Sequence, residues 1–298
     1  MMSKNNLIYI GGPTGVGKSI VAIEVAKYFS TEIISCDSRQ FYKEMSIGTA
    51  VPDKKQLNEV KHYFIQDRSV KNPLTVGKYQ IEALNVINEL FKKHKNVILV
   101  GGSGLYANSI LFGLDKIPNV SSKTLNEVNY LYKDKGLKYI TNLLRNYDFN
   151  YYNKVDLNNH RRIIRALSVC IECKKPYSSF LGKENQKKNY SNHIYILNQD
   201  RKLLYERINN RVDLMVNTGL EVEAKTLSSM KSLKPLNTVG YREWFNDNNQ
   251  KNKKFVVEEI KKNSRRYAKR QITWFKKYKS AIWIEPKKSI NYIIQNHK

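Results

Sequence analysis

Apolar residues occur in the first third of the chain as short unbroken runs, separated by stretches with a longer repeat. Leu7-Ile8-Tyr9-Ile10 is one such run and ends in glycines. Ile33-Ile34 lies inside a second, Glu32 to Ser35, and Val97-Ile98-Leu99-Val100 forms a third. Ile194 to Leu197 repeats the pattern much later. Runs of this length bounded by glycine or polar residues predict buried strands. Lys18 to Phe29 carries Ile20, Val21, Ile23, Val25 and Ala26, which predicts an amphipathic helix. Tyr79 to Lys93 has apolar residues at 81, 84, 87, 90 and 91, the three-and-four spacing of another. Strands alternating with helices imply a parallel sheet wrapped by helices through right-handed crossovers, an α/β fold.

The pattern changes between about 118 and 190. Pro118 opens a stretch without strand signals, in which helical spacing and many Tyr, Lys and Asn residues take over. The expectation is an inserted all-helical domain over 118–190, within a core made of 1–117 and 191–298. Arg161-Arg162-Ile163-Ile164-Arg165 places Arg161 and Arg165 on one helix face and turns the isoleucines toward packing. A last helix, Lys253 to Lys279, is strongly basic. Arg266 and Arg270 are four apart, as are Arg265 and Lys269, while Tyr267 and Trp274 share a face.

Charge narrows the choice of partner. The chain of 298 residues has 52 Lys and Arg against 26 Asp and Glu, a formal net charge of +26. General Lys and Asn richness accounts for part of this excess; an anionic partner accounts for the rest. Basic groups interleaved with aromatics suit a folded RNA, although a solvated helix with snorkelling Lys and Arg has the same pattern. With 20 Tyr and 10 Phe the chain is no solvated tail. No run approaches the ~18 apolar residues needed to span a bilayer, and Met1 to Asn6 lacks the features of a signal peptide. The cysteines are few and odd in number, Cys36, Cys170 and Cys173, as expected in a reducing cytoplasm. Cys170 and Cys173 form a CxxC, but inside the helical run Arg162 to Cys173 and without further ligands. It is therefore expected to pack rather than bind metal.

The strongest chemical signal follows the first strand. Gly12-Pro13-Thr14-Gly15-Val16-Gly17-Lys18-Ser19 fits G-x-x-x-x-G-K-[ST], the phosphate loop of nucleotide-binding proteins. Its glycines let backbone N–H groups point at phosphate oxygens, and the following helix adds its positive end. Lys18 would neutralise terminal phosphates and Ser19 would ligate Mg²⁺. An ATPase or kinase normally adds an acid at the end of a neighbouring strand. Here Val97 to Val100 runs into Gly101-Gly102-Ser103-Gly104 without one, and the acid is instead Asp37, just after Ile33 to Cys36. Such a carboxylate serves either water on magnesium or general-base chemistry. Asp37-Ser38-Arg39-Gln40 offers a carboxylate, a hydroxyl, a guanidinium and an amide, a set able to read a base edge and hold its phosphate, or simply to form a polar turn.

Taken in order, these segments resemble the bacterial tRNA dimethylallyltransferases. The resemblance rests on GPTGVGKS (12–19), IISCDSRQFYKEMSIGTAVP (33–52), VILVGGSGLYANSIL (97–111), NNHRRIIRALSV (158–169), LNTVGYREW (236–244) and RRYAKRQITWFKK (265–277). It implies a P-loop core with an inserted helical domain, and transfer of a dimethylallyl group from dimethylallyl diphosphate to an adenosine beside the tRNA anticodon. Thr14 to Ser19 would bind the diphosphate, with Ser19 at Mg²⁺. Asp37 would take the proton from the adenine amine, and with Ser38, Arg39 and Gln40 would contact the anticodon stem-loop. Ser103, where the family usually has Thr, would keep a hydroxyl near the reacting groups. Arg161, Arg162 and Arg165 would hold tRNA, and Arg211 would help neutralise the diphosphate, with Arg207 as a competing choice. Lys61 to Asp67 departs from the family's His-rich pattern, and 115–150 matches weakly. A cytoplasmic monomer without membrane contact is expected. A metabolite or nucleoside kinase and an RNA-binding module with a relict loop are the alternatives.

Overall fold

In the computed structural model, which describes residues 5–182, 188–245 and 252–298, the apolar runs become the middle of a parallel sheet. In chain order the core begins with β1 (Asn5–Gly11), α1 (Lys18–Tyr28), β2 (Ile33–Ser35), α2 (Lys54–Glu59), β3 (His62–Tyr63), α3 (Val76–Phe91), β4 (Asn96–Val100) and α4 (Gly104–Leu111). An inserted unit follows, with α5 (Ser122–Tyr147), α6 (Phe149–Tyr152) and α7 (His160–Cys173). The core then resumes with β5 (Tyr190–Leu197), α8 (Arg201–Asn217), α9 (Leu220–Thr226), α10 (Lys253–Phe275), β6 (Ile282–Ile284) and α11 (Pro286–Gln295). The strand order is β3-β2-β4-β1-β5-β6, and every pairing is parallel.

Both faces of the sheet are covered, which explains why its central strands read as continuous apolar runs rather than alternating ones. Leu7 and Tyr9, Val97 and Leu99, and Ile194 and Ile196 pack on one face, with Tyr79, Ala83 and Ile87 of α3 and Phe275 of α10. Ile8 and Ile10, Ile98 and Val100, and Tyr195 and Leu197 pack on the other, with Val21, Val25 and Ala26 of α1, Leu204 of α8 and Ile293 of α11. The amphipathic expectation for α1 needs correcting at one residue, Ile20. Val21, Ala22, Ile23, Val25 and Ala26 are all buried, whereas Ile20 is 57% exposed. Ile20 shares a solvent-facing stripe with Glu24, Lys27 and Tyr28. The helix expected over Tyr79 to Lys93 starts earlier, because the Thr75 hydroxyl caps the Lys78 amide.

Contacts divide the chain at Gly113–Gln186, close to the 118 and 190 read from sequence. Within that unit, Val128, Ile140 and Leu144 pack with Ile163, Leu167 and Cys170. Burial pushes the Cys170 thiol up to about 11, which suits a packing residue and not a reactive one. Where the core chain leaves and rejoins, Lys188 Nζ donates to the carbonyls of Ile110 and Leu111 at the end of α4. Asn192 Nδ2 donates to Leu111 as well, at 2.8 Å. These donors satisfy carbonyls that a helix end leaves without partners.

On the other face of β5, the Tyr195 hydroxyl and His297 Nε2 lie 2.8 Å apart, and the His193 ring meets His297 edge-on at 4.3 Å between centroids. Burial, helped by His193 and Lys95, pushes His297 down from its ordinary 6.5 to about 4. An unfolding chain takes up a proton there at any pH between those values. Stability from this site is therefore complete above about pH 6.5 and lost as pH falls toward 4, by on the order of 2–3 kcal/mol. Urea unfolding at pH 7.5 and 4.5 should show this, with His297→Gln losing less stability on acidification than the parent chain.

Candidate active site

The loop between β1 and α1 is built for an anion. Gly12 has φ 146°, and a Cβ there would stand 2.7 Å from the Leu197 carbonyl oxygen, so the close approach of β5 requires glycine. Gly17 starts α1 at φ 103° and no side chain caps the helix, so its first amides keep their donor capacity for a ligand. Lys18 folds back over the loop, its Nζ 2.9 Å from the Pro13 carbonyl oxygen. Burial pushes its ammonium down to about 8; Asp37 opposes the shift and Arg211 adds to it.

Asp37 follows β2 at the carboxyl end of the sheet, where open α/β sheets place ligands. Its Oδ1 accepts from the Arg39 amide at 3.2 Å, folding the turn around the carboxylate. Ser38 and Ser103 are joined twice, amide to hydroxyl and hydroxyl to hydroxyl, each at 3.0 Å. Ser103 precedes α4 but spends no hydroxyl on capping it. Arg39 lies 3.9 Å above the Tyr267 ring. Tyr267, read from sequence only as a stacking aromatic, thus lines the site itself. Gln40 donates to the carbonyls of Thr49 and Ala50, so its amide nitrogen braces the next turn.

A cavity of about 640 Å³ is lined by Lys18, Ser19, Asp37 and Arg39, by the apolar Val51, Pro52, Leu214 and Met215, and by Asp53, whose carboxylate caps α2. Arg207 and Arg211, four apart on α8, both reach it. Arg211 Nη1 donates to the Thr14 hydroxyl at 3.3 Å, and an Arg207 nitrogen would stand 3.4 Å from a Cβ on Gly17. The sequence offered these two arginines as rivals; the structure brings both to the loop. Arg161, Arg162 and Arg165 are exposed on α7 of the inserted unit, above the buried Ile163 and Ile164. Arg165 also donates to the Pro118 carbonyl at 3.3 Å.

Two residues escaped the sequence reading. Glu223 of α9 accepts from the amides of Ser46, Ile47 and Gly48 and, at 2.6 Å, from the Tyr241 hydroxyl, fixing the segment that runs on to Val51 and Pro52. Gln271 of α10 accepts from the Thr14 amide at 2.8 Å and donates to the Gly102 carbonyl at 2.9 Å. Nothing local marks Glu223. Gln271 had a visible signal: it lies at helical spacing between the buried Ala268 and Phe275.

Among the described residues, no group of three or more His, Cys, Asp or Glu could hold a metal. Magnesium nonetheless fits this donor set, since it keeps several waters and takes one or two protein oxygens plus substrate phosphates. Ser19 supplies such an oxygen in the cavity.

The IPP transferase family matches residues 40–278, most of the chain. This chain belongs to the IPP transferase family. The family match begins just after Asp37, so the phosphate loop is tied to the family through full-length likeness. The tRNA dimethylallyltransferase of Flavobacterium johnsoniae is 46% identical over 98% of this chain and 98% of its own length. The crystal structure of the full-length tRNA isopentenylpyrophosphate transferase of Bacillus halodurans superposes with a TM-score of 0.71 at 31% identity, covering 98% of this chain and 95% of that one. A eukaryotic dimethylallyltransferase acting on tRNA shares the fold, with a TM-score of 0.83 at 23% identity over 99% of this chain and 80% of its own. Among the described residues, no helix of this IPP transferase is long and apolar enough to cross a membrane.

Proposed function

We propose that this IPP transferase moves the dimethylallyl group of dimethylallyl diphosphate onto N6 of the adenosine 3′ to a tRNA anticodon and releases pyrophosphate. The observation that carries the reading is one cavity that combines a phosphate loop, the Asp37 carboxylate beside it and several apolar lining residues. In this transfer the bond between C1 of the prenyl group and the diphosphate oxygen breaks, and a bond from N6 to C1 forms. Asp37 accepts the proton that N6 gives up. The loop amides, Lys18 and Arg211 stabilise the charge that grows on the leaving pyrophosphate. Magnesium bound at Ser19 would add charge neutralisation on the diphosphate. Val51, Pro52 and Met215 give the prenyl chain apolar neighbours, which limits water at an allylic centre that water would trap. The reactive base leaves the anticodon stack to enter the cavity. Ser38, Arg39 and Gln40 receive it there, and Ser103 supports Ser38. Arg161, Arg162 and Arg165 bind the RNA backbone.

A kinase reading finds less support. β4 runs into Gly101-Gly102-Ser103 without the acid that would organise a nucleotide's magnesium, and the other carboxylate lining the cavity, Asp53, is engaged in capping α2 through the Gln56 amide. The test is to incubate the protein with unmodified tRNA, Mg²⁺ and radiolabelled dimethylallyl diphosphate, with ATP in a parallel reaction. Label is expected in tRNA only from the prenyl donor. Phosphate transfer from ATP with no labelled tRNA would sink the reading.

A further inference from the structure

We propose that Gln271 is a positioning residue for the prenyl-transfer reaction, orienting the Pro13–Thr14 peptide plane and, through that plane, the ammonium of Lys18. The inference rests on the prenyl-transfer reading and adds a residue from the far end of the chain. In a trans peptide the C=O and N–H point in opposite directions from one rigid plane. The two edges of this plane are both held. The Thr14 N–H donates to Gln271 Oε1 at 2.8 Å, and the Pro13 carbonyl accepts from Lys18 Nζ at 2.9 Å. A tilt of the plane at the Gln271 edge therefore displaces the oxygen that anchors Lys18.

Gln271 is itself fixed. It is 5% exposed, and its Nε2 donates to the Gly102 carbonyl at 2.9 Å. A Cβ on Gly102 would stand 2.3 Å from that nitrogen, so the turn after β4 has room for the amide only because residue 102 is glycine. The chemistry selects glutamine. A neutral amide accepts and donates at once, and holds the loop without bringing a negative charge beside a bound diphosphate. Glutamate has no proton to give Gly102 when ionised. Methionine keeps the approximate shape but makes neither bond.

The experiment is steady-state transfer by the full chain and by Gln271→Met, varying dimethylallyl diphosphate and tRNA separately, with thermal unfolding alongside. Expected are a donor KM raised about tenfold, a reduced kcat and an unchanged tRNA KM, since a small misplacement of a charge-stabilising group is costly. In a double-mutant cycle with Lys18→Met the two losses should be far from additive, because one change acts through the other. Gln271→Asn, one methylene too short to span loop and turn, is read in the same way where the methionine variant does not fold. A lower melting temperature with both KM values and kcat per folded enzyme unchanged, or full additivity with Lys18→Met, would overturn the proposal. A parent chain that transfers no prenyl group to tRNA would overturn the underlying reading instead.

Discussion

Lys18→Met is expected to slow dimethylallyl transfer by about 10²–10³-fold in kcat, the range found when one preorganised charge-stabilising group is removed. The direction follows from geometry. The Lys18 ammonium is tethered to the loop at Pro13 and stands among groups of both signs, with Asp37 and Arg211 close enough to alter its proton affinity. Negative charge on the pyrophosphate increases as the carbon–oxygen bond breaks, so a fixed positive charge beside it favours the transition state over the bound donor. Methionine keeps much of the apolar stem and deletes the charge together with the bond to the Pro13 carbonyl. Single-turnover transfer under saturating donor separates the two effects. A loss confined to donor KM would mean that Lys18 binds the diphosphate equally in both states and contributes nothing special to bond breaking.

Asp37→Asn should be nearly as damaging, lowering kcat by about 10²–10⁴-fold while leaving the tRNA dissociation constant within about twofold. Asparagine retains an oxygen for the Arg39 amide, so the turn around residue 37 survives. What disappears is the ability to take a proton from N6. Label transfer gives kcat and filter binding gives tRNA affinity for the same preparation. Equal losses in both would reassign Asp37 to RNA binding.

The parts of this molecule that sequence reveals are those whose causes are local. The phosphate loop is a contiguous motif, and the central strands announce themselves because both faces are covered. The edge strands are harder to read: β3 has two residues, and β6, though apolar throughout, has three, with Ile282 and Trp283 partly exposed. α4 was hidden because its first residue is the last glycine of Gly101-Gly102-Ser103-Gly104, which reads as a turn. In α1 only Ile20 departs from its apolar character, since it falls on the exposed stripe with Glu24, Lys27 and Tyr28. Hydrogen bonds from Thr14 to Gln271 and from residues 46–48 to Glu223 join distant segments; helical spacing marks Gln271 as inward-facing but does not name its partner, and nothing local marks Glu223. Arg207 and Arg211 could not be ranked from spacing because positions four apart on one helix face address the same cavity.

Lys188 and Asn192, gathered on the last carbonyls of α4, make the inserted unit exchangeable. They hold the two points where the core chain departs and returns within hydrogen-bonding reach of each other, so most of the entropy of closing that long excursion is met by the core itself. Evolution or a protein engineer can therefore lengthen, shorten or replace Gly113–Gln186 while the sheet keeps its register, provided that this small clasp is retained.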